Sequence, residues 1–208
     1  WGETSDPQGD DPGVPNYTAT YNRTTGTLSP PQFLAFSPPV NDVHNISSIL
    51  VDSHGTRHVI VGAHGRPFQH LKAASGSVEW TNPVPISEID QTYVGAVLDQ
   101  KDQIHLFFRG WRRDYEFPGS LNAGLFYQHM DNRGEWKEPV LFASPGFNNY
   151  SIFYHRVTTN REGRAYVSFT YWSTWTPYRD SFRAGAGPRQ HRVVLYSDNG
   201  EDWFVQRE

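Results

Sequence analysis

The sequence contains no cysteine and a single methionine among its 208 residues. The absence of cysteine excludes disulfide bonds, thiolate nucleophiles and cysteine-ligated zinc from these residues. No apolar run approaches the roughly 18 residues of a membrane-spanning helix, and no charged segment followed by an apolar one opens the chain. Basic residues form no dense run, and the formal net charge is −4. We therefore expect neither a nucleic acid nor a membrane as a partner.

The chain is instead rich in aromatic residues and in turn formers. Aromatic side chains make up 15% of the sequence, and 18 glycines and 15 prolines interrupt the apolar runs. Prolines are frequent in residues 1–40, which we expect to form an extended lead-in. From Val43 onward, short apolar runs end at Gly, Asn or Asp, which is typical of strands joined by turns. This pattern predicts an all-β fold.

One unit recurs three times after residue 41. In each copy two apolar runs flank a polar turn, and the turns lie at Asp52, Asp99 and Asn160, 47 and 61 residues apart. A third run follows, and a fourth begins at a tryptophan. These tryptophans are Trp80, Trp136 and Trp203. Four strands in a unit of this length are typical of a β-propeller blade. We predict three blades, at residues 41–90, 91–147 and 148–208.

The turn before the last tryptophan approximates the Asp-box of BNR repeats, S-x-D-x-G-x-T-W. Asp198, Gly200 and Trp203 match the pattern, whereas Tyr196 and Asp202 occupy its Ser and Thr positions. We expect Asp198 to bind turn amides, Gly200 to supply a positive φ and Trp203 to pack between blades. The motif is structural and carries no catalytic group.

Three blades are too few to close a ring, since propellers typically have about 4 to 8. We expect the chain to be the amino-terminal part of a longer polypeptide that supplies the remaining blades of one propeller. Completion of a ring by several copies of the chain is the alternative.

The repeat predicts which side chains meet. In a blade, the start of the first strand and the end of the second lie at the same end of the central channel. His44 and His64 occupy these positions in the first blade, Tyr93 and Arg109 in the second, and Tyr154 precedes the turn of the third. Their convergence at one mouth of the channel would form a binding or catalytic site.

The residue types favour proton abstraction over hydrolysis. Glycosidases usually need two carboxylates, and the nearby acidic residues Asp42, Asp90 and Asp114 do not recur in register. In β-elimination on a uronic acid, an arginine can stabilise the negative charge that develops beside the carboxylate. Histidine, with a reference pKa of about 6.5, and tyrosine, of about 10, can move the protons.

Three features of the sequence resemble a known family of enzymes. They are the stretch from His44 to His64, the phrase Gly-Ala-His-Gly-Arg-Pro-Phe at 62–68, and the pairing of Tyr93 with Arg109 in Leu-Phe-Phe-Arg-Gly-Trp. Over roughly residues 40–208 the chain resembles the BNR-propeller polysaccharide lyases that cleave ulvan, the PL25 type and its PL24 relatives. The resemblance implies a seven-bladed ring, cleavage between a sulfated rhamnose and a uronic acid, and an unsaturated uronate product.

The resemblance also implies roles for the five residues. His44 and Tyr93 would be the acid and base, in either order, and Arg109 would neutralise the substrate carboxylate. His64 and Tyr154 would support the reaction or bind substrate. Tyr150 competes with Tyr154 for the last role, and the repeat register favours Tyr154.

Three residues that follow Arg109 could extend this site. An aromatic ring can stack on a sugar face, and a guanidinium can bind a sulfate. We therefore assign substrate binding to Trp111, Arg112 and Arg113.

The resemblance implies an anionic sulfated polysaccharide as partner and a secreted or periplasmic location. We expect the chemistry to need no cofactor. Members of the resembled family carry a structural zinc whose cysteine ligands this sequence lacks, and bound zinc or calcium stays an open question.

Two alternative functions also stay open. They are a sialidase-like BNR glycoside hydrolase, which would need three arginines and a tyrosine nucleophile, and a carbohydrate-binding propeller without turnover.

Overall fold

The computed structural model describes residues 12–39, 42–113, 121–144, 152–172 and 190–206. These segments contain β-strands and no helix, which confirms the predicted all-β class. Accordingly, none of the described segments supplies a helix that could cross a membrane. The chain divides into two compact units, Trp1–Val94 and Gly95–Glu208.

The first unit opens with two small antiparallel pairs of strands. They are β1 (Val14–Thr18) with β4 (Gln32–Ser37), and β2 (Tyr21–Asn22) with β3 (Thr27–Leu28). The sequence predicted only an extended lead-in here. The inward-facing positions include polar residues, which weakens the strand pattern: buried Asn16 donates to the backbone oxygen of Val14 at 2.9 Å and to Ser37 Oγ at 2.7 Å.

The rest of the first unit is a four-stranded antiparallel sheet, which we call sheet 1. Its order is β5-β6-β8-β9, formed by β5 (Ser48–Val51), β6 (Arg57–Val61), β8 (Gln69–Ala73) and β9 (Val84–Pro85). Val59, Val61 and Leu71 of its central strands form a buried core with Ala35. A short strand that the sequence did not predict, β7 (His64–Arg66), follows β6 and pairs with the first residues of β10 (Gln91–Leu98).

The second unit contains two further antiparallel sheets. Sheet 2 has the order β13-β12-β11-β10-β7, with β11 (Ile104–Arg113), β12 (Leu121–Met130) and β13 (Val140–Ala143), and the short β7 is its edge strand beside β10. Sheet 3 has the order β14-β15-β16-β17, with β14 (Ile152–Thr159), β15 (Ala165–Trp172), β16 (Gln190–Ser197) and β17 (Phe204–Val205). Sheets 1, 2 and 3 each contain four consecutive repeat strands, and their assignment as propeller blades stays a prediction.

The long strand β11 shows why these apolar runs become strands. Every residue from Ile104 to Gly110 is buried, so both faces of the strand are covered. A continuous apolar run is the pattern of a central strand, and β10 and β12 flank β11 on its two edges.

The three predicted turns share one arrangement of hydrogen bonds. Asp99 Oδ1 accepts the backbone N–H of Lys101 at 2.8 Å and of Gln103 at 2.9 Å. In the same way, Asp52 Oδ1 accepts the backbone N–H groups of His54 and Thr56. Asn160 Oδ1 accepts the backbone N–H of Arg164. An Asx side chain that binds its own turn in this way fixes the connection between two strands.

The last turn differs from the expected Asp-box in which side chain holds it. The sequence assigned the turn amides to Asp198. The structure gives them to Ser197, whose Oγ accepts the N–H of Gly200 at 2.8 Å, and to Asn199, whose Oδ1 accepts the N–H of Asp202 at 2.9 Å. Asp198 instead accepts a hydrogen bond from Arg164 Nε at 2.6 Å.

The expectation for Gly200 is met, and Trp203 packs between two sheets whose assignment as blades stays a prediction. Gly200 has a φ of 77°. The Trp203 ring packs against Phe107, Tyr127 and Phe142, with centroid separations of 5.1, 5.7 and 5.4 Å. Because those three rings belong to sheet 2 and Trp203 lies between β16 and β17 of sheet 3, the tryptophan joins the two sheets of the second unit.

Candidate active site

His44 lies on the connection that leads into sheet 1, and neighbouring polar contacts fix this connection. Asn45 is fully buried, and its amide donates to the backbone oxygens of Ser37 at 2.8 Å and Pro39 at 2.7 Å. The backbone N–H of His64 donates to the oxygen of Pro38 at 3.0 Å. Both histidine positions are thus held against the segment at residues 37–39.

A single carboxylate joins the two imidazoles. Asp42 Oδ1 accepts the backbone N–H of His44 at 2.8 Å and contacts His44 Nδ1 at 2.6 Å. Asp42 Oδ2 contacts His64 Nδ1 at 2.5 Å. The imidazole rings are 4.4 Å apart between centroids and tilted by 52°. Their side chains are each 33% exposed and that of Asp42 is 17% exposed, so solvent reaches both rings.

Asp42 is ionised in this cluster. Burial acts to raise the pKa of Asp42, but hydrogen bonds from His64 and His44 outweigh it and hold that pKa below its usual value. The carboxylate therefore presents two acceptor oxygens to its two histidine partners.

Tyr93 completes the cluster in the first unit. Its ring meets His44 edge-on, with centroids 5.2 Å apart and an interplanar angle of 66°. The strand β10 brings it there because the preceding residue, Thr92, pairs with His64 of β7 beside a register shift. Tyr93 has a φ of 62°, a left-handed conformation that a bulky side chain rarely adopts. Strained residues of this kind are frequent at functional sites.

Arg109 and Tyr154 lie in the second unit. Arg109 is in the middle of β11 and only 5% exposed. Tyr154 is 63% exposed and lies at a register shift in the pairing of β14 with β15. It shares the left-handed backbone of Tyr93, with a φ of 45°. The neighbouring His155 contacts the backbone oxygen of Phe107 through Nε2 at 3.0 Å.

Four of the predicted residues have side chains that the structure does not describe. The backbone of Trp111, Arg112 and Arg113 belongs to β11, but their side chains are not among the described ones. Tyr150, the competitor of Tyr154, lies outside the described residues altogether.

The contribution of Asp42 was missed by sequence reasoning, which set this residue aside because it does not recur in register. A signal was present in Asp42-Val43-His44. An aspartate two positions before a residue can accept that residue's N–H, as Asp99 does with Lys101.

A second group of histidines is structural. In sheet 1, His58 Nδ1 lies 3.1 Å from His70 Nε2, and its other nitrogen lies 3.5 Å from Asp52. In sheet 2, His105 contacts Asp99 at 3.3 Å and the Tyr127 hydroxyl at 2.7 Å. Both histidines are buried and tie a turn aspartate to the next strand, and neither has an assigned catalytic role.

The residues do not suit the cysteine-containing zinc site that the sequence resemblance implies, because the chain has no cysteine. Asp42, His44 and His64 are a different set, whose potential ligand atoms lie within 4.8 Å of one another. Their nitrogen–oxygen separations of 2.5 and 2.6 Å lie closest to the length of a charge-assisted hydrogen bond, about 2.7–2.9 Å.

Comparison with known proteins gives one family match. Residues 16–206 match the model of a family described as BNR repeat-containing family member, BNR_4. No curated protein matches the sequence.

Solved structures with the same fold include polysaccharide lyases. A PL25 ulvan lyase, also solved bound to -[GlcA(1-4)Rha3S]-, is 20% identical, with a TM-score of 0.60 over 86% of this chain and 45% of that chain. The polysaccharide lyase Uly1 is 13% identical, with a TM-score of 0.56 over 91% and 49%. A protein of unknown function from Dyadobacter fermentans is 14% identical, with a TM-score of 0.50 over 76% and 52%. The chain thus spans about half the length of these structures.

Proposed function

This chain belongs to the BNR repeat-containing family, and from that premise we propose that it is part of a β-propeller polysaccharide lyase. The proposed substrate is a sulfated, uronic-acid-containing polysaccharide of the ulvan type, and the proposed reaction is β-elimination. The fold that the chain shares with two polysaccharide lyases supports the class of enzyme. The disaccharide in the ulvan lyase structure suggests the class of substrate.

The observation that carries the proposal is the cluster of His44, His64 and Tyr93 around Asp42. It brings two imidazoles and a phenol together at a partly exposed position, and these groups can accept and donate protons. The cluster contains one carboxylate, and both of its oxygens are engaged by histidines. It therefore lacks the pair of acidic groups that most glycosidases use.

The proposed reaction is a β-elimination across C4 and C5 of the uronic acid. A base removes the proton from C5 of the uronic acid, and the electron pair forms a double bond between C4 and C5. The bond from C4 to the glycosidic oxygen breaks, and an acid protonates that oxygen as it leaves. His44 and Tyr93 are the proposed base and acid, in either order, and His64 supports them.

The substrate carboxylate carries negative charge while C5 loses its proton, so a fixed cation would lower the barrier. We assign this role to Arg109, which lies in β11. Tyr154 is the proposed substrate-binding phenol, and Trp111, Arg112 and Arg113 are proposed to contact neighbouring sugars and sulfates.

The proposed reaction moves protons and breaks a carbon–oxygen bond without redox change, so we propose that it needs no cofactor. A polymeric substrate of this kind is met outside the cytoplasm, and we propose a secreted or periplasmic location.

The test is incubation of the protein, in its natural full length, with ulvan. A lyase produces an unsaturated uronate, so ultraviolet absorbance rises together with new reducing ends. New reducing ends without absorbance would indicate a glycoside hydrolase, and binding without either product would indicate a carbohydrate-binding propeller. Each of these two results would overturn the proposal.

Two variants test the roles within this reaction. We expect Tyr93→Phe and His44→Ala to lower kcat by about 10²- to 10⁴-fold, the usual contribution of an acid or base, and to unfold at the same urea concentration as the parent. Tyr17→Phe is the control, because Tyr17 is an exposed tyrosine of β1 in the same unit. Retention of most activity by both variants would show that the roles are wrong.

A further inference from the structure

The Asp42 carboxylate is shared between two imidazoles in a way that constrains their protons. Its Oδ1 lies 2.6 Å from His44 Nδ1 and its Oδ2 lies 2.5 Å from His64 Nδ1. An ionised carboxylate accepts hydrogen bonds and has no hydrogen to donate. Both Nδ1 atoms must therefore carry the hydrogen, and in each neutral ring the lone pair lies on Nε2.

The same carboxylate also fixes where the rings lie. Asp42 Oδ1 accepts the backbone N–H of His44 at 2.8 Å, so His44 is held at both its backbone and its side chain. His64 is tied by its backbone to Pro38 and by its side chain to Asp42. The two rings are anchored at Nδ1 with a centroid separation of 4.4 Å, so their contacts with Asp42 do not use Nε2.

We propose that Asp42 is the positioning residue of this cluster, which holds His44 and His64 in the Nδ1–H tautomer so that each offers a basic Nε2. This inference rests on the proposed function for its effect on turnover, whereas the tautomers themselves can be measured without any reaction. When one imidazole takes a proton at Nε2, the Asp42 carboxylate stabilises the resulting cation.

A metal ion held by the same three groups is the competing explanation. Ligands at about 2.0–2.1 Å from a tetrahedral zinc lie roughly 3.3 Å from one another. The separations of 2.5 and 2.6 Å between Asp42 and the two Nδ1 atoms are well below this spacing and lie closer to the length of a charge-assisted hydrogen bond, about 2.7–2.9 Å. The geometry therefore favours protons on Nδ1 over a shared ion.

The first arm of the test is a two-bond ¹H–¹⁵N correlation spectrum of the protein with ¹⁵N-labelled histidine. His44→Gln and His64→Gln identify the two sets of signals. We expect both rings of the parent protein to show a protonated Nδ1 and an unprotonated Nε2. The opposite tautomer in both rings would overturn the proposal, and so would loss of the Nδ1 protons on addition of Zn²⁺ at a stoichiometric concentration.

The second arm uses Asp42→Asn. The two Nδ1 atoms face different oxygens of Asp42, so an asparagine in the same position presents its oxygen to one ring and its NH2 group, which donates, to the other. We expect at least one ring to populate the Nε2–H tautomer, and kcat to fall by about 100-fold with KM changed by less than about threefold. Unchanged tautomers in the variant would overturn the proposal, as would full turnover.

Asp52→Asn is the matched control. Asp52 also contacts a histidine, His58, at 3.5 Å, and an asparagine keeps the turn bond that Asn160 makes at the equivalent position. We expect this variant to leave the His44 and His64 signals and turnover unchanged. If the parent shows the expected tautomers but no lyase product, the proposed function fails while the role of Asp42 in fixing the rings stands.

Discussion

At the scale of single residues, the two predicted tyrosines share an unusual backbone. Tyr93 and Tyr154 each lie six residues before a repeat turn, and their φ values are 62° and 45°. Both adjoin register shifts in their strands. A bulge redirects a side chain relative to the regular pleat. Two copies of the repeat thus carry the same left-handed backbone at equivalent tyrosines.

His70 gives a prediction for the dependence of stability on pH. Burial, with repulsion from His58 and Lys72, lowers the pKa of His70 to about 4. The unfolded chain binds this proton below about pH 6.5, while the folded chain does not bind it until about pH 4. His70 therefore does not lower the free energy of unfolding above about pH 6.5. As the pH falls from about 6.5 toward 4, protonation of His70 in the unfolded chain lowers the free energy of unfolding by at most about 3 kcal/mol.

Urea unfolding at several pH values, followed by tryptophan fluorescence, tests this prediction. We expect His70→Gln to lose less stability than the parent between about pH 7 and pH 4.5. His54→Gln is the control, because His54 is exposed in the turn at Asp52 and should keep the pH dependence of the parent. An equal loss in His70→Gln and the parent would contradict the assignment.

The residues of the candidate site were predictable to the extent that they follow the repeat. His44, His64 and Tyr93 were chosen by position relative to the turns, and the structure brings their rings together. Asp42 was not predictable in this way, because it belongs to one copy of the repeat alone. Its importance depends on side-chain contacts with His44, 2 residues away, and with His64, 22 residues away. The spacing of the repeat does not predict that one carboxylate contacts both rings.

At the scale of elements, the turns are the most regular feature of the molecule. In four turns, an Asx residue accepts backbone N–H groups and the residue three positions later has a positive φ. Those residues are Gly55, Asp102, Gly134 and Gly163, with φ values of 80°, 60°, 84° and 81°. The repeat analysis found three of these turns, which join the first and second strands of each repeat. It missed the turn at Asp131, which lies later in its repeat, between β12 and the segment leading to β13.

Gly134 isolates the energetic cost of this conformation. A Cβ atom added at Gly134 would meet no atom within 4 Å, so Gly134→Ala introduces left-handed strain without a clash. We expect it to destabilise the fold by about 1 kcal/mol. Gly134→Asn should cost less, because asparagine tolerates this region better than alanine.

The measurement is the urea midpoint of the two variants against the parent. The order of stability should be parent, Gly134→Asn and then Gly134→Ala. An alanine variant at least as stable as the asparagine variant would show that the left-handed backbone is not what requires glycine at this turn.

The amino-terminal strands show where element prediction fails. The alternation of β1 and β4 places Asn16 and Ser37 inside, where they bond to each other at 2.7 Å. Hydrophobic periodicity cannot detect a strand whose buried positions are polar and mutually satisfied. The strands of sheets 1 to 3 were detectable because most of their buried positions are apolar, as in β6 and β11.

At the scale of the whole molecule, the division into two units differs from the division into repeats. The boundary between the units falls inside β10, after Val94. Sheets 2 and 3 share one buried core, in which Phe107 and Leu125 of sheet 2 meet Val167 and Phe169 of sheet 3. The sequence predicted the repeats but not this shared core, because the repeat pattern does not specify which side chains interlock between neighbouring sheets.

The shared core predicts that sheets 2 and 3 unfold as one cooperative body. Phe107 is fully buried. The centroid of its ring lies 5.0 Å from the ring centroid of Phe142 and 5.1 Å from that of Trp203. Phe107→Ala would remove contacts within sheet 2 and the contact with Trp203, which lies between β16 and β17 of sheet 3. We expect a loss of about 3–5 kcal/mol, typical of a buried aromatic residue replaced by alanine.

Hydrogen exchange measured by mass spectrometry distinguishes a shared core from two independent ones. In Phe107→Ala, the amides of β11 and those of β15 should lose protection by the same factor, because a single unfolding event exposes both. Phe204→Ala, which alters an exposed ring beside Trp203, should change stability by no more than about 0.5 kcal/mol. Loss of protection in β11 with unchanged protection in β15 would mean that each sheet is stabilised by its own strands, and that Trp203 does not couple them.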